Sequence, residues 1–287
     1  MAKAEIDKVS GVETTGHEWD GLKELNNPLP KWWLYLFYIC IAYAVGYYVF
    51  YPSWPLVSSY TKGILGYSQR QEALNDVAAG AAKRAEFGKG LETASLEEIQ
   101  KTPALLEFAR ANGRAAFANN CAPCHGAGAV GAVGYPNLQD DDWLWGGSVD
   151  AIHQTIQHGI RNETAEARVG DMPAFGKDGV LNAAQISQVT DYVIALSDPA
   201  KAAANKDGAQ IFADNCAACH GEAGAGNPDL GAPNLTDAIW LFGGTKDAIA
   251  YSVINGRKGV MPAMGARLDP VTVKSLAVYV HSLGGGQ

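Results

Sequence analysis

The chain has 287 residues, of which 47% are hydrophobic and 18% charged; this leaves room for about two domains and excludes wholesale disorder. A formal charge of −8 and an isoelectric point near 5.2 argue against a nucleic-acid partner, because neutralising phosphates takes clustered lysine and arginine. An acidic surface serves either ordinary solubility or a basic protein partner drawn in by long-range attraction.

Residues 1–31 are polar and mixed in charge, ending in the turn-like Asn26-Asn27-Pro28-Leu29-Pro30. They lack the short apolar core and small-residue cleavage site of a signal peptide, and His17 reads as a surface residue. Residues 32–51 then run without a single charge. At about 1.5 Å per residue they span roughly 30 Å, the thickness of a bilayer's hydrocarbon core. Lys31, Trp32 and Trp33 mark one end and Tyr47, Tyr48, Tyr51 and Trp54 the other, as interfacial belts do, and Pro52 with Pro55 ends the helix. Ala42, Ala44 and Gly46 form a small-residue face, and Cys40 in mid-span reads as apolar filler. Beyond it lies a connector punctuated by Gly63, Gly66 and Gly80. Residues 69–87 have helical composition, and Ser95 with Glu98 makes a capping-box pattern, so the connector reads as a partly helical arm resting on a partner or the membrane, or as a tether.

A pentapeptide then occurs twice: Cys121-Ala122-Pro123-Cys124-His125 and Cys216-Ala217-Ala218-Cys219-His220. Two thiols three positions apart suit the two vinyl groups on one edge of a porphyrin, and the histidine that follows places an imidazole under the iron. Without that histidine, a Cys-x-x-Cys pair would equally suit half a zinc site or a redox dithiol. Two covalently bound haem c groups follow, with Cys121, Cys124, Cys216 and Cys219 as thioether attachments and His125 and His220 as proximal ligands. Only Cys40 is left over, which excludes a disulfide scaffold. Haem of this type is attached on the outer, periplasm-like face of a bacterial membrane, so residues beyond 120 belong there and residues 1–31 face the cytoplasm.

The two motifs sit in an internal duplication. Gly113 and Phe117 recur as Gly208 and Phe212, Asn120 as Asn215, and Pro136-Asn137-Leu138 as Pro233-Asn234-Leu235. Trp143-Leu144-Trp145-Gly146-Gly147 recurs as Trp240-Leu241-Phe242-Gly243-Gly244. Met172-Pro173-Ala174 is in register with Met261-Pro262-Ala263, which makes Met172 and Met261 the distal thioether ligands, each expected at its own repeat's haem; Met264 stands where the first repeat has Phe175. Each repeat ends in an amphipathic helix, carrying Tyr192 or Tyr279, that is expected to pack across its own repeat's Gly-x-x-x-Phe helix. The first repeat has about eight extra residues, within 161–169, read either as a partner-docking loop or as a solvated one. His153 and His158 lack counterparts and read as surface or propionate-side residues, and His281 as solvent-facing.

These repeats resemble the class I cytochrome c fold over residues 105–198 and 203–284. The chain therefore reads as mainly α: a cytoplasmic segment (1–31), one transmembrane helix (32–52), a partly helical periplasmic connector (53–104) and two tandem class I cytochrome c domains (105–199 and 203–287). An iron held by histidine and methionine has no position open to substrate, so the expected work is outer-sphere electron transfer. A free-standing membrane-tethered carrier and a dihaem peroxidase or gas-responsive module are the competing readings. The Asn-Pro-Leu-Pro-Lys-Trp-Trp entry to the helix, the Tyr-Pro-Ser-Trp-Pro exit and the Ile-Leu-Gly-Tyr-Ser connector of residues 64–68 closely resemble the dihaem subunit (subunit III) of cbb3-type cytochrome c oxidases. That resemblance implies a single-pass protein of the bacterial inner membrane, itself non-catalytic. Its implied partners are a catalytic subunit carrying haem b and copper, a monohaem cytochrome c subunit, and a periplasmic cytochrome c that donates electrons for the reduction of oxygen elsewhere in the complex, with proton pumping.

Overall fold

A computed structural model describes residues 4–286, in two bodies, one ending at Ala82 and the other beginning at Lys83. The first body opens with an antiparallel hairpin, β1 (Thr14–Trp19) and β2 (Leu22–Leu25), in which Trp19 faces Leu22 and Glu18 faces Lys23. Its turn is Asp20-Gly21, and both residues have positive φ (50° and 86°), the backbone that matches the twist of the flanking strands. The polar mixture before residue 31 thus hides an Asp-Gly hairpin that composition did not reveal. His17 lies exposed on β1. Helix α1 (Lys31–Phe50) buries none of its side chains, and its hydropathy and length suffice to cross a membrane. At its end Tyr47 stacks on Tyr51, with ring centroids 4.5 Å apart. Ile64 and Leu65 then donate backbone hydrogen bonds to the carbonyls of Val49 and Phe50, at 3.0 and 3.1 Å.

Helix α2 (Gln69–Thr93) carries the chain into the second body. There Gly88 meets Phe108 and Val271, and Leu91 is fully buried. Short α3 (Leu96–Lys101) follows, its first turn capped by the Ser95 hydroxyl, which accepts from the Glu98 N–H at 3.1 Å. The Lys274 ammonium closes the other side of the bend by donating to the carbonyls of Leu91, Glu92 and Ala94 at 2.8–3.1 Å. From Gly88 onward the connector is therefore neither arm nor tether: Leu91, Ala94, Leu96 and Ile99 belong to a core.

The remaining elements are α4 (Pro103–Asn120), α5 (Ala122–His125), α6 (Val149–His158), α7 (Ala183–Ala195), α8 (Pro199–Ala204), α9 (Lys206–Asn215), α10 (Ala217–His220), α11 (Lys246–Asn255) and α12 (Pro270–His281). Their pairing departs from the expectation that each repeat closes on itself. Helix α12 packs on α4 and α6, while α7 packs on α9 and α11. Tyr279 lies against Phe117, with centroids 5.6 Å apart, and Tyr192 against Phe212 at 5.4 Å; each tyrosine covers the other repeat's aromatic. The glycine one turn earlier explains the fit. A Cβ on Gly113 would run into the Ser275 carbonyl and the Tyr279 side chain, and one on Gly208 into the Gln188 carbonyl and Tyr192. A short connection, α8 and its flanks, keeps the consecutive helices α7 and α9 adjacent, which leaves α4 to be covered by the last helix of the chain.

Two apolar cores result. The first joins α2, α3, α4 and α6 to α12, around Phe117, Ile152, Leu276 and Val278. The second joins α7, α9 and α11, around Val189, Val193, Phe212 and Val253. The second is one unbroken stretch of chain, inserted into the first. His281 is half-buried rather than solvent-facing, its Nδ1 3.2 Å from Gln100 Nε2.

Candidate functional site

Each Cys-x-x-Cys-His stretch is a single helical turn following a long helix. Cys121 caps α4 and starts α5; the N–H groups of Cys124 and His125 both donate to its carbonyl, at 3.1 and 2.9 Å. Cys216 does the same for α9 and α10, at 3.1 and 3.0 Å. A helical turn sets residues three and four apart on one face, so the two thiols and the imidazole project together. Asn120 and Asn215 secure the junction by donating to the Ala116 and Ile211 carbonyls at 2.8 and 2.9 Å.

The imidazoles are oriented alike. His125 Nδ1 lies 3.0 Å from the Pro136 carbonyl and His220 Nδ1 3.0 Å from that of Pro233. A carbonyl accepts only, so Nδ1 carries the proton and Nε2 keeps its lone pair for a metal. Burial pushes His220 below the ordinary imidazole range, partly offset by the Pro233 carbonyl, which keeps the ring in the neutral form that coordinates. Burial, helped by the neighbouring thiol, pushes both Cys121 and Cys216 up to about 11. Redox-active dithiols shift the opposite way, and all four thiols are free of disulfide. Paired thiols, an N-donor imidazole and a nearby thioether are the donor set of haem c, and the residues fit it.

The methionines are placed across the repeats. Met261 packs in the first core, with Phe117, Cys121 and Ala122. Met172 packs in the second, with Phe212, Cys216 and Ala217. Each loop is pinned by backbone pairs: Ile160 and Met261 exchange N–H···O bonds at 2.9 and 3.0 Å, and Met172 and Arg257 exchange them at 3.0 Å. Gly159 (φ 70°) and Gly256 (φ 69°) let the opposite methionine's carbonyl come close, where a Cβ would collide with it. Each methionine thus packs in the core that holds the other repeat's Cys-x-x-Cys-His turn, where its own repeat's was expected. Met264 is buried in the first core, with Arg267 Nη1 3.9 Å from its sulfur, as core filling.

Alignment of the repeats missed an arginine pair. Arg168 donates to Thr155 Oγ1 at 2.8 Å and lies over Trp145; Arg257 donates to Ser252 Oγ at 2.8 and 3.0 Å and lies over Phe242. Thr155 and Ser252, like Trp145 and Phe242, occupy equivalent places, so Arg168 is the counterpart of Arg257, and the extra residues lie between Gly159 and it. The signal was the hydroxyl one turn before the end of each preceding helix. The inserted loop is stapled inward by Arg161, which donates to the Gly259 carbonyl at 2.5 Å and to that of Gly170, while Glu163, Glu166 and Val169 stay exposed. His158 Nδ1 sits 3.9 Å from Glu166, and His153 is half-buried on α6.

Comparison with known proteins settles the family. Residues 11–58 match the family described as the N-terminal domain of cytochrome oxidase-cbb3, FixP, and residues 108–193 and 203–280 match "Cytochrome C oxidase, cbb3-type, subunit III". The chain belongs to the subunit III family of cbb3-type cytochrome c oxidases. Subunit FixP of Azorhizobium caulinodans is 56% identical over 99% of this chain and 97% of its own length. Subunit CcoP of Azospirillum brasilense is 55% identical over the full length of both chains, and FixP of Rhizobium meliloti 51% identical over 98% of each. A subunit III is an electron-transfer component of the oxidase with haem c as its cofactor, and α1 fits membrane anchoring.

Proposed function

We propose that this subunit III attaches two haem c groups, one at Cys121 and Cys124 and one at Cys216 and Cys219, with His125 and His220 as proximal ligands. The observation that carries this is the duplicated arrangement of two thiols on one turn, an imidazole held through Nδ1 by a proline carbonyl, and a Met-Pro-Ala methionine packed in the same core as the turn's first cysteine. Met261 is then the distal ligand of the first haem and Met172 of the second. Bound haem supplies a one-electron couple, whose potential a thioether raises relative to a second histidine. The protein's part is to fix the ligands and keep water out: the Pro136 and Pro233 carbonyls orient the imidazoles, and the exchanged loops hold the methionines.

Helix α1 anchors the chain in the bacterial inner membrane, with residues 1–31 cytoplasmic and the haem cores periplasmic. A periplasmic cytochrome c delivers electrons, which pass to the monohaem cytochrome c subunit and to the haem b and copper subunit where oxygen is reduced. The test is detergent purification through a C-terminal tag. Haem b and cytochrome c-driven oxygen uptake are expected to travel with the tag, with two haem c per chain; haem c alone would favour a free-standing carrier. For the ligands, a chain keeping only its first haem (Cys216→Ser with Cys219→Ser) is expected to lose the methionine-to-ferric charge-transfer band on Met261→His and to keep it on Met172→His. The reverse pattern would restore ligation within each repeat.

A further inference from the structure

A crevice lies between the Cys-x-x-Cys-His loop of the first repeat and the Trp-Leu-Phe segment of the second. It has a volume of about 190 Å³ and is lined on one side by Val130, Val133, Tyr135 and Pro136 and on the other by Ile239, Trp240 and Leu241. Its walls are tied where the Gly134 N–H donates to the Leu241 carbonyl at 2.8 Å. Large apolar side chains stand open to solvent on its rim: Val133 is 78% exposed, Val130 59% and Tyr135 48%. Asp140 and Asp142 line it as well, and Asp141 and Asp237 are close enough for their charges to act on Asp142. Among the described residues, none of the four is engaged in an ion pair.

We infer that this crevice is where a soluble, basic electron-donor protein docks, its apolar contact patch seated on Val130, Val133 and Tyr135 and its surrounding lysines facing the four carboxylates. The inference rests on the electron-entry reading above and adds the face that performs it. Uncompensated charge steers an oppositely charged partner and raises its encounter rate, while a small apolar centre makes a contact that forms and releases quickly. The position suits the task. Tyr135, Pro136 and Asn137 line the crevice, and the Pro136 carbonyl is the group that holds His125. Trp240, on the far wall, packs into the second core.

The test uses the whole tagged oxidase, assayed for oxygen uptake with a reduced, soluble cytochrome c of high isoelectric point and, separately, with a small-molecule reductant. Asp140→Asn, Asp141→Asn and Asp237→Asn are combined, and a second triple, Glu107→Gln, Asp207→Asn and Asp214→Asn, removes the same charge from exposed positions on α4 and α9. At low salt the first triple is expected to raise KM for the cytochrome about tenfold and to flatten its dependence on ionic strength. Uptake with the small reductant and the haem c content should stay unchanged. Equal KM values for the two triples would overturn the inference, since net charge alone would then account for the effect. Loss of haem b from the first triple would overturn it too, by making the crevice an assembly face. Val133→Ser, which leaves the charge alone, is expected to raise KM without altering the salt dependence; an unchanged KM there would also count against the crevice. If the unmodified oxidase takes no electrons from cytochrome c, the electron-entry reading itself fails, which is a different result from any of these.

Discussion

Asp142 shows how a single carboxyl carries strain at the junction of the repeats. Burial, and then the charges of Asp237, Asp140 and Asp141, push it from the ordinary 3.8 up to about 6. A carboxyl whose pKa is higher in the folded than in the unfolded chain stabilises the fold when protonated; that benefit is complete below about 3.8 and is lost as the pH rises through about 6. Asp142→Asn is therefore expected to stabilise the protein at pH 7, by at most about 1 kcal/mol because half the group still meets solvent. It should also flatten this site's share of the pH dependence between those two values, as read from denaturant midpoints across the range. An unchanged midpoint at pH 7 would show that the carboxylates are screened from one another. The same residue scale decides the imidazoles: one carbonyl on each ring, from Pro136 or Pro233, selects the tautomer that leaves Nε2 available.

Among the elements, the helix crossings are the most exacting. Gly113 on α4 and Gly208 on α9 lie where the crossing helix brings a carbonyl into the space of a Cβ. Gly113→Ala is expected to destabilise the first core by about 2 kcal/mol, since backbone rather than a flexible side chain must give way. A thermal melt followed at the haem band should show the loss, and a melting temperature within error of the parent's would mean that α12 shifts freely on α4. The Gly-x-x-x-Phe spacing announced these crossings from sequence, as Ser95 with Glu98 announced the start of α3. Which helix does the crossing was not legible. Tyr192 and Tyr279 have the same local surroundings in either pairing, and helical periodicity reports that a face is apolar without saying what covers it. The hairpin before α1 was legible in principle, through Asp20-Gly21, but short strands leave a weak signal beside a long apolar helix.

At the scale of the molecule, the second core is a continuous insert and the first is closed only when the end of the chain returns to it. Neither repeat covers its own Gly-x-x-x-Phe helix with its own closing helix, and both lie in one compact unit from Lys83 onward. Ion pairs reinforce the exchange, with Lys258 2.7 Å from Asp171 and Lys246 2.5 Å from Asp191. Denaturation is accordingly expected as one cooperative transition for both cores, with helical circular dichroism and the absorbance of bound haem c changing at the same denaturant concentration. Two resolved transitions would show that the cores are stable separately.

The sequence by itself determined the family and the candidate chemistry: the paired thiols, the imidazoles that follow them, the two candidate thioethers, the apolar helix and the resemblance to a cbb3 subunit all reside in residue types at short, fixed spacings. Only the tertiary structure decided which methionine and which closing helix pack in the same core as which Cys-x-x-Cys-His turn. The two repeats present nearly equal surfaces to one another, so local spacing is indifferent between self-closure and exchange. The choice is made by a long-range constraint, a connection between α7 and α9 short enough to hold them together, which spacing within either repeat does not express.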